Sequence, residues 1–161
     1  MPIPGDEIRY RTYNPRDLES IVELDAECFD PPFRFSSRAM RRFIEAENAW
    51  VTIVESDRRL AGFSIVHREK TAAMDVGYVV TIDVAKQFRR LGIGERMLAN
   101  AESWVRGFGG VGMILHVFTK NAGAIHFYER IGYKRVGIQR GFYGSNLDAA
   151  MYWKELLDSG S

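Results

Sequence analysis

The stretch from residue 75 to residue 108 constrains this chain more than any other. Asp75 to Val84 is nearly continuous in apolar residues and rich in Val and Ile, the pattern of a strand covered on both faces. A short glycine-bearing segment follows, Arg89-Arg90-Leu91-Gly92-Ile93-Gly94. Ile93, Met97, Leu98, Ala101, Trp104, Val105 and Phe108 then fall on one helical stripe. A buried strand that feeds an amphipathic helix through a glycine turn places the chain among mixed α/β domains.

The remaining segments extend this reading. Ile8 to Thr12 is a short strand. Asn14-Pro15 starts a helix, with Asn as the cap and Pro where its missing N–H does no harm. Leu18, Ile21, Val22 and Leu24 give that helix its apolar side, and Asp30-Pro31-Pro32 breaks it. Ser36 or Ser37 caps a second helix with Met40, Phe43 and Ile44 on one face. Trp50–Glu55 and Leu60–His67 form a hairpin about the polar turn Asp57-Arg58-Arg59. After the central helix, Met113–Thr119 is a strand, and Asn121 caps a helix carrying Ile125, Tyr128 and Ile131 that stops at Gly132. Tyr133–Gln139 and Ala149–Leu156 close the order β-α-α-β-β-β-α-β-α-β-β. With 161 residues, no repeat and no linker, a single domain over residues 1–161 is expected.

Composition narrows the function. Hydrophobic residues at 46% and charged residues at 27% describe a folded globular chain. No apolar run approaches the ~18–20 residues of a membrane span, and Asp6 and Glu7 stand where a signal peptide would be apolar. A cytoplasmic protein with no membrane partner is the expectation. Twenty-two basic against 21 acidic residues argue against a nucleic-acid partner. Cys28 is a lone cysteine, and His67, His116 and His126 are scattered, so no disulfide and no metal site are expected.

The chemistry concentrates at residues 89–94. Two glycines let backbone approach a ligand, the helix start offers unbonded N–H groups and a positive dipole end, and Arg89 and Arg90 add charge. The physical reading is a diphosphate cradle, with a glycine-rich turn carrying solvated arginines as the open alternative. It is not a P-loop, because no Gly-Lys-Ser/Thr follows, and Met97 stands where a dinucleotide fingerprint has its third glycine. Gly107-Phe108-Gly109-Gly110-Val111-Gly112 matches that fingerprint literally, but it follows a helix and precedes a strand. It is read as a loop.

Arg89-x-x-Gly92-x-Gly94 after a strand resembles the acetyl-CoA motif of the GNAT N-acetyltransferases. Leu115-His116-Val117, Asn121, Ala124, Tyr128, Gly132 and Tyr133 resemble the second half of the same family. Phe142-Tyr143 and Asp148-Ala149-Ala150-Met151, with Cys28-Phe29 and Pro32-Phe33, resemble the protein N-terminal acetyltransferases. Those include a ribosomal-protein-alanine type and a eukaryotic Naa50 type. The resemblance spans Ile8 to Leu156 and implies an α+β fold. That fold has a mixed, mostly antiparallel sheet of about seven strands, about four helices, and a splayed central parallel pair, here Asp75–Val84 and Met113–Thr119. It implies acetyl-CoA as cofactor. The pantetheine arm would lie on backbone of Ile82, Asp83 and Val84, and the pyrophosphate on Arg89, Arg90, Leu91, Gly92, Ile93 and Gly94. Asn121 would bond the pantetheine arm or serve as a plain cap, and Tyr128 would reach the sulfur.

The implied reaction is direct attack of an amine on a thioester in a ternary complex. An α-amine, with a pKa of about 7.7–8.0, loses its proton at pH 7 for about 1 kcal/mol, whereas lysine requires about 4.6. A weak base therefore suffices for a protein N-terminus. His116 is the candidate base. The ribosomal-protein type usually has Glu there, whereas the Naa50 type has His paired with a Tyr one strand over, the position Tyr78 holds here. Tyr128 is the candidate acid. Substrate would enter between Phe29, Pro32 and Phe33 on one side and Phe142 and Tyr143 on the other. The family usually has Tyr where Phe142 stands, which removes one hydrogen bond to the peptide. Two other readings remain open: acetylation of a small amine, and a non-catalytic acyl-CoA-binding module. A monomer or weak homodimer is expected.

Overall fold

The structure is a computed structural model that describes residues 7–156. Seven strands form one sheet in the order β1-β2-β3-β4-β5-β7-β6, and the chain order of strands and helices is the one read from sequence. The strands are β1 (Ile8–Thr12), β2 (Ala49–Ser56), β3 (Arg59–Thr71), β4 (Met74–Val84), β5 (Gly112–Phe118), β6 (Lys134–Gly144) and β7 (Leu147–Glu155). The helices are α1 (Leu18–Cys28), α2 (Ser37–Glu45), α3 (Ile93–Gly107) and α4 (Ala122–Arg130). The chain packs as two compact units. One is the chain up to His67 with Val80–Ala101; the other is Arg68–Val79 with the chain from Glu102 on.

In the first unit β1 and β3 flank β2, both antiparallel to it. Asp57 and Arg58 both take positive φ, 49° and 63°, the conformation whose twist suits a two-residue hairpin turn. Asn14 and Asp17 form a reciprocal cap on the 3-10 turn Pro15–Asp17 that leads into α1. The Ser36 hydroxyl accepts from the Ala39 amide at the start of α2. These caps satisfy amides that a helix start leaves unbonded. Ile21, Met40, Ile53, Phe63, Ile65 and Met97 are fully buried and form the core. Gly62 is required by proximity, since a Cβ there would lie 2.8 Å from the Asp83 carbonyl oxygen. His67 is structural, as expected: its Nε2 donates to the Phe43 carbonyl at 2.8 Å.

This unit also buries a pair of carboxyl groups that sequence did not reveal. Asp25 of α1 is 0% and Asp83 of β4 is 1% exposed. Asp83 Oδ1 accepts from the Thr81 hydroxyl at 2.6 Å, and Asp25 Oδ2 accepts from the Phe35 amide at 2.7 Å. The remaining oxygens, Asp25 Oδ1 and Asp83 Oδ2, are buried without a conventional donor. Two carboxylates at such a site share a proton. Burial first, then the hydrogen bond and charge of Asp25, push Asp83 well above its ordinary value of 3.8. A raised folded-state pKa stabilises the fold fully below that ordinary value, and the contribution is lost as pH rises through the folded value. Asp83→Asn carries no ionisable proton and still donates to Asp25. It is expected to flatten the fall of Tm as pH rises from the ordinary value of 3.8 upward, and to exceed the native protein in Tm once Asp83 ionises. Parallel Tm curves for the two proteins across that range would contradict the shared proton.

The second unit centres on β5. β4 and β5 run parallel, in register from Val76 opposite Gly112 to Val79 opposite Leu115. The pairing goes no further, although β5 continues against β7 to Phe118. Gly112 has no room for a Cβ because the Trp153 ring lies against it. Buried Glu102 accepts from the Tyr133 hydroxyl at 2.8 Å and from Lys154 Nζ at 3.1 Å, so its charge is compensated. Asn121 caps α4, its side-chain oxygen accepting from the Ala124 amide at 3.1 Å.

Three expectations need correction. β4 is not covered equally on both faces: Val76, Val79, Thr81 and Asp83 are buried, whereas Tyr78, Val80, Ile82 and Val84 are only partly so. β3 extends to Thr71, because Ala72 and Ala73, with φ of 47° and 68°, make a second tight turn into β4. β6 runs past Gln139 to Gly144 through a bulge. Gln139 pairs with Ala149 and Gly144 with Leu147, so residues 140–143 face a single residue of β7.

Candidate active site

That bulge sets the site. Four residues opposite one must leave the sheet plane, and a bulge re-aims its side chains. Gly141 takes φ of 66°, and its amide donates to the Asp148 carboxylate at 2.8 Å. The bulge lays the Phe142 ring flat on His116, with centroids 4.0 Å apart and planes 6° apart. Tyr143 packs edge-on against both Phe142 and Phe118.

His116 of β5 is held at both nitrogens. Its Nδ1 lies 2.8 Å from the Tyr78 hydroxyl oxygen and its Nε2 lies 2.9 Å from Gln139 Oε1. The pairing of Tyr78 with His116 is the one the resemblance implied. Gln139 was not, because nothing in a single polar residue of an alternating strand marks it as a ring partner. Burial lowers the pKa of His116, and the Gln139 bond works against that shift. The ring is therefore neutral near pH 7. Burial, with the Glu69 charge adding to it, pushes Tyr78 up to about 12, so the phenol keeps its proton. Burial, then the neighbouring Tyr78, also raises Tyr143. The chemistry available is proton acceptance by an uncharged ring through a protonated phenol.

The other predicted residues of this unit take separate places. Tyr128 is buried on α4 against the rings of Phe127 and Tyr133. Asn121 is the α4 cap described above, so its oxygen is engaged by the helix.

The first unit carries the glycine segment. Arg90 and Gly92 take φ of 67° and 78°, and the Gly92 carbonyl closes the first turn of α3 by accepting from Arg96. The amides that follow Gly92 lie in the first turn of α3, where no intrahelical acceptor exists. The Ile93 side chain is buried, so it can offer a ligand only backbone. Leu91 is exposed and Gly94 lies in the first turn of α3. Arg89 also bonds within the protein. Its amide donates to Lys86, and its Nε donates to the Val84 carbonyl at 3.0 Å. Much of Arg89 thus braces the loop against the end of β4. The Val84 carbonyl thus accepts from Arg89 and lies 3.7 Å from Cys28 Sγ. Ile82 and Val84 share the partly exposed face of β4, and the Asp83 side chain points into the carboxyl pair.

Phe29 ends α1 and is partly buried; Pro32 is exposed and Phe33 partly buried. The Asp25 bond to the Phe35 amide ties down the far end of their loop. Cys28 lies near the Val84 carbonyl and Arg89, each 3.7 Å away. Burial pushes its thiol up to about 11, with the Asp83 charge adding to the rise. A thiol protonated at neutral pH is a poor nucleophile. Among the described residues, no three His, Cys, Asp or Glu side chains gather as a metal site, and no helix is long and apolar enough to cross a membrane.

Comparison with known proteins follows this geometry. The model of the acetyltransferase (GNAT) family matches residues 18–133. An N-alpha-acetyltransferase of Sulfurisphaera tokodaii is 25% identical over 156 residues, covering 90% of this chain and 91% of its own. The N-alpha-acetyltransferase RimI of Mycobacterium tuberculosis is 28% identical over 127 residues, covering 79% and 78%. Among solved structures, Arabidopsis thaliana NAA60 in complex with acetyl-CoA superposes with a TM-score of 0.79 at 22% identity, over 92% of this chain and 98% of that one. At that identity the likeness establishes the fold.

Proposed function

The chain belongs to the acetyltransferase (GNAT) family, and from that premise we propose that it transfers acetyl from acetyl-CoA to the N-terminal α-amine of a protein or peptide. The observation that carries the reading is the Tyr78–His116 pair, neutral on both members and closed at 2.8 Å. Such a base is matched to an amine with a pKa of about 7.7–8.0 and poorly matched to lysine at about 10.4. The relatives named N-alpha-acetyltransferase support the same choice.

Acetyl-CoA supplies the acyl group as a thioester. The residues of the first unit suit its anionic end: Arg90 and Gly92 take positive φ, and the unbonded amides at the start of α3 lie close in sequence to the Arg90 charge. Leu91, Gly92, Ile93 and Gly94 hold the pyrophosphate by backbone, while Arg89 braces their loop. Backbone of Ile82, Asp83 and Val84 receives the pantetheine arm. In the second unit Tyr78 accepts the amine proton as its own proton passes to His116. The nitrogen lone pair forms the new C–N bond, the C–S bond breaks, and the electron pair leaves on sulfur. Tyr128 contacts that sulfur and hands it a proton. Asn121 orients the start of α4. Phe142 and Tyr143 contact the first peptide residue. Cys28 takes no part.

An acetyl-CoA consumption assay tests this over peptides varied at their first two residues, beside a panel of polyamines, amino acids and aminoglycosides. Turnover confined to peptides with a free N-terminus is expected. Turnover of a small amine alone would replace the peptide substrate, and cofactor binding without any turnover would mark a binding module.

A further inference from the structure

Around the His116 ring, Tyr78 comes from β4, Gln139 and Phe142 come from β6, and Met151 of β7 pairs opposite His116 in the sheet. The titratable groups near it are Tyr78 and Tyr143, with Glu69 of β3 acting on Tyr78. Gln139 is neither titratable nor close in sequence, yet it occupies Nε2 at 2.9 Å.

A neutral imidazole carries one proton, and the partner at one nitrogen decides which nitrogen is left basic. The proposed transfer requires the lone pair on Nδ1, facing the Tyr78 hydroxyl. A carbonyl oxygen opposite Nε2 requires the proton there. We propose that Gln139 is a positioning residue that fixes His116 in its Nε2–H form, leaving Nδ1 to take the proton that Tyr78 relays. This rests on the function proposed above. The step balances: the amine proton moves to the Tyr78 oxygen, the Tyr78 proton moves to Nδ1, and the ring becomes imidazolium with Nε2–H still bonded to Gln139. That bond shortens and strengthens when the ring is charged, so Gln139 favours the product of the transfer. Phe142 stacks on the ring face, with centroids 4.0 Å apart, and limits its rotation.

The side chain of Gln139 is exposed, so Gln139→Leu and Gln139→Glu should fold. Nitrogen-15 NMR of the His116 ring in the full chain, without substrate, reads the tautomer and the titration directly. The native ring is expected as Nε2–H alone. The Leu variant is expected to mix tautomers and titrate at lower pH, and the Glu variant to titrate at higher pH. With peptide, the Leu variant should lose about 5-fold in kcat with unchanged KM for acetyl-CoA, and the acid limb of the Glu profile should move to higher pH. A purely structural Gln139 would lower Tm without moving the tautomer or the acid limb, and that result would overturn the inference. Because the NMR readout needs no turnover, a native protein inactive on every peptide but with Nε2–H fixed by Gln139 would overturn the function and leave the tautomer assignment standing.

Discussion

Replacing His116 with alanine is expected to lower kcat on a good peptide substrate by about 10²- to 10⁴-fold, the usual worth of a positioned base. KM for acetyl-CoA should hardly move. Tyr78→Phe removes the hydroxyl 2.8 Å from Nδ1 and should fall in the same range. The double variant should be little worse than either single one, since both act on one proton path. Stopped-flow or steady-state rates of the three proteins across pH 6 to 9 check this. The native profile should rise as the substrate amine loses its proton near pH 7.7–8.0. Burial lowers the His116 pKa, so its limb lies on the acid side of the amine's. Intact turnover in both single variants would remove the base from this pair.

The second large effect concerns the cofactor. Gly92 has φ of 78° and nothing within 4 Å of where a Cβ would sit. A side chain there meets no neighbour, so only the backbone conformation is strained. A β-branched residue in that region costs about 1–3 kcal/mol, which the loop escapes by turning its amides away. Gly92→Val is therefore expected to weaken acetyl-CoA binding by about 10- to 100-fold, with a small change in Tm, and Gly92→Ala should weaken it less. Isothermal titration with acetyl-CoA and with dephosphorylated pantetheine analogues separates the causes. The loss should appear with the diphosphate-bearing ligand and not with the analogue. Equal affinity of Gly92→Val and native protein for acetyl-CoA would place the phosphates elsewhere.

Much of this was readable from local signals. Asn14, Ser36 and Asn121 announce their helices because a capping side chain acts on amides two or three residues away. Tyr78 and His116 were paired by a resemblance that places their strands side by side, as β4 and β5 indeed lie. What escaped has physical reasons. The turn at Ala72-Ala73 uses positive φ at alanine, which carries no left-handed signature. Asp25 and Asp83 are far apart in the chain, and only tertiary packing buries them together. The bulge after Gln139 breaks the two-residue period on which strand reading depends, although Gly141 and Gly144, both at positive φ, were its available signal.

The claim beneath all of these is transfer of one acetyl group to an α-nitrogen without a covalent enzyme intermediate. It is tested most directly with deuterated acetyl-CoA and a peptide that carries one free N-terminus and one internal lysine, followed by tandem mass spectrometry of peptide and enzyme. The label is predicted on the terminal nitrogen of the peptide, with Cys28 unlabelled. Label on the lysine alone, or trapped on Cys28 during turnover, would contradict the account.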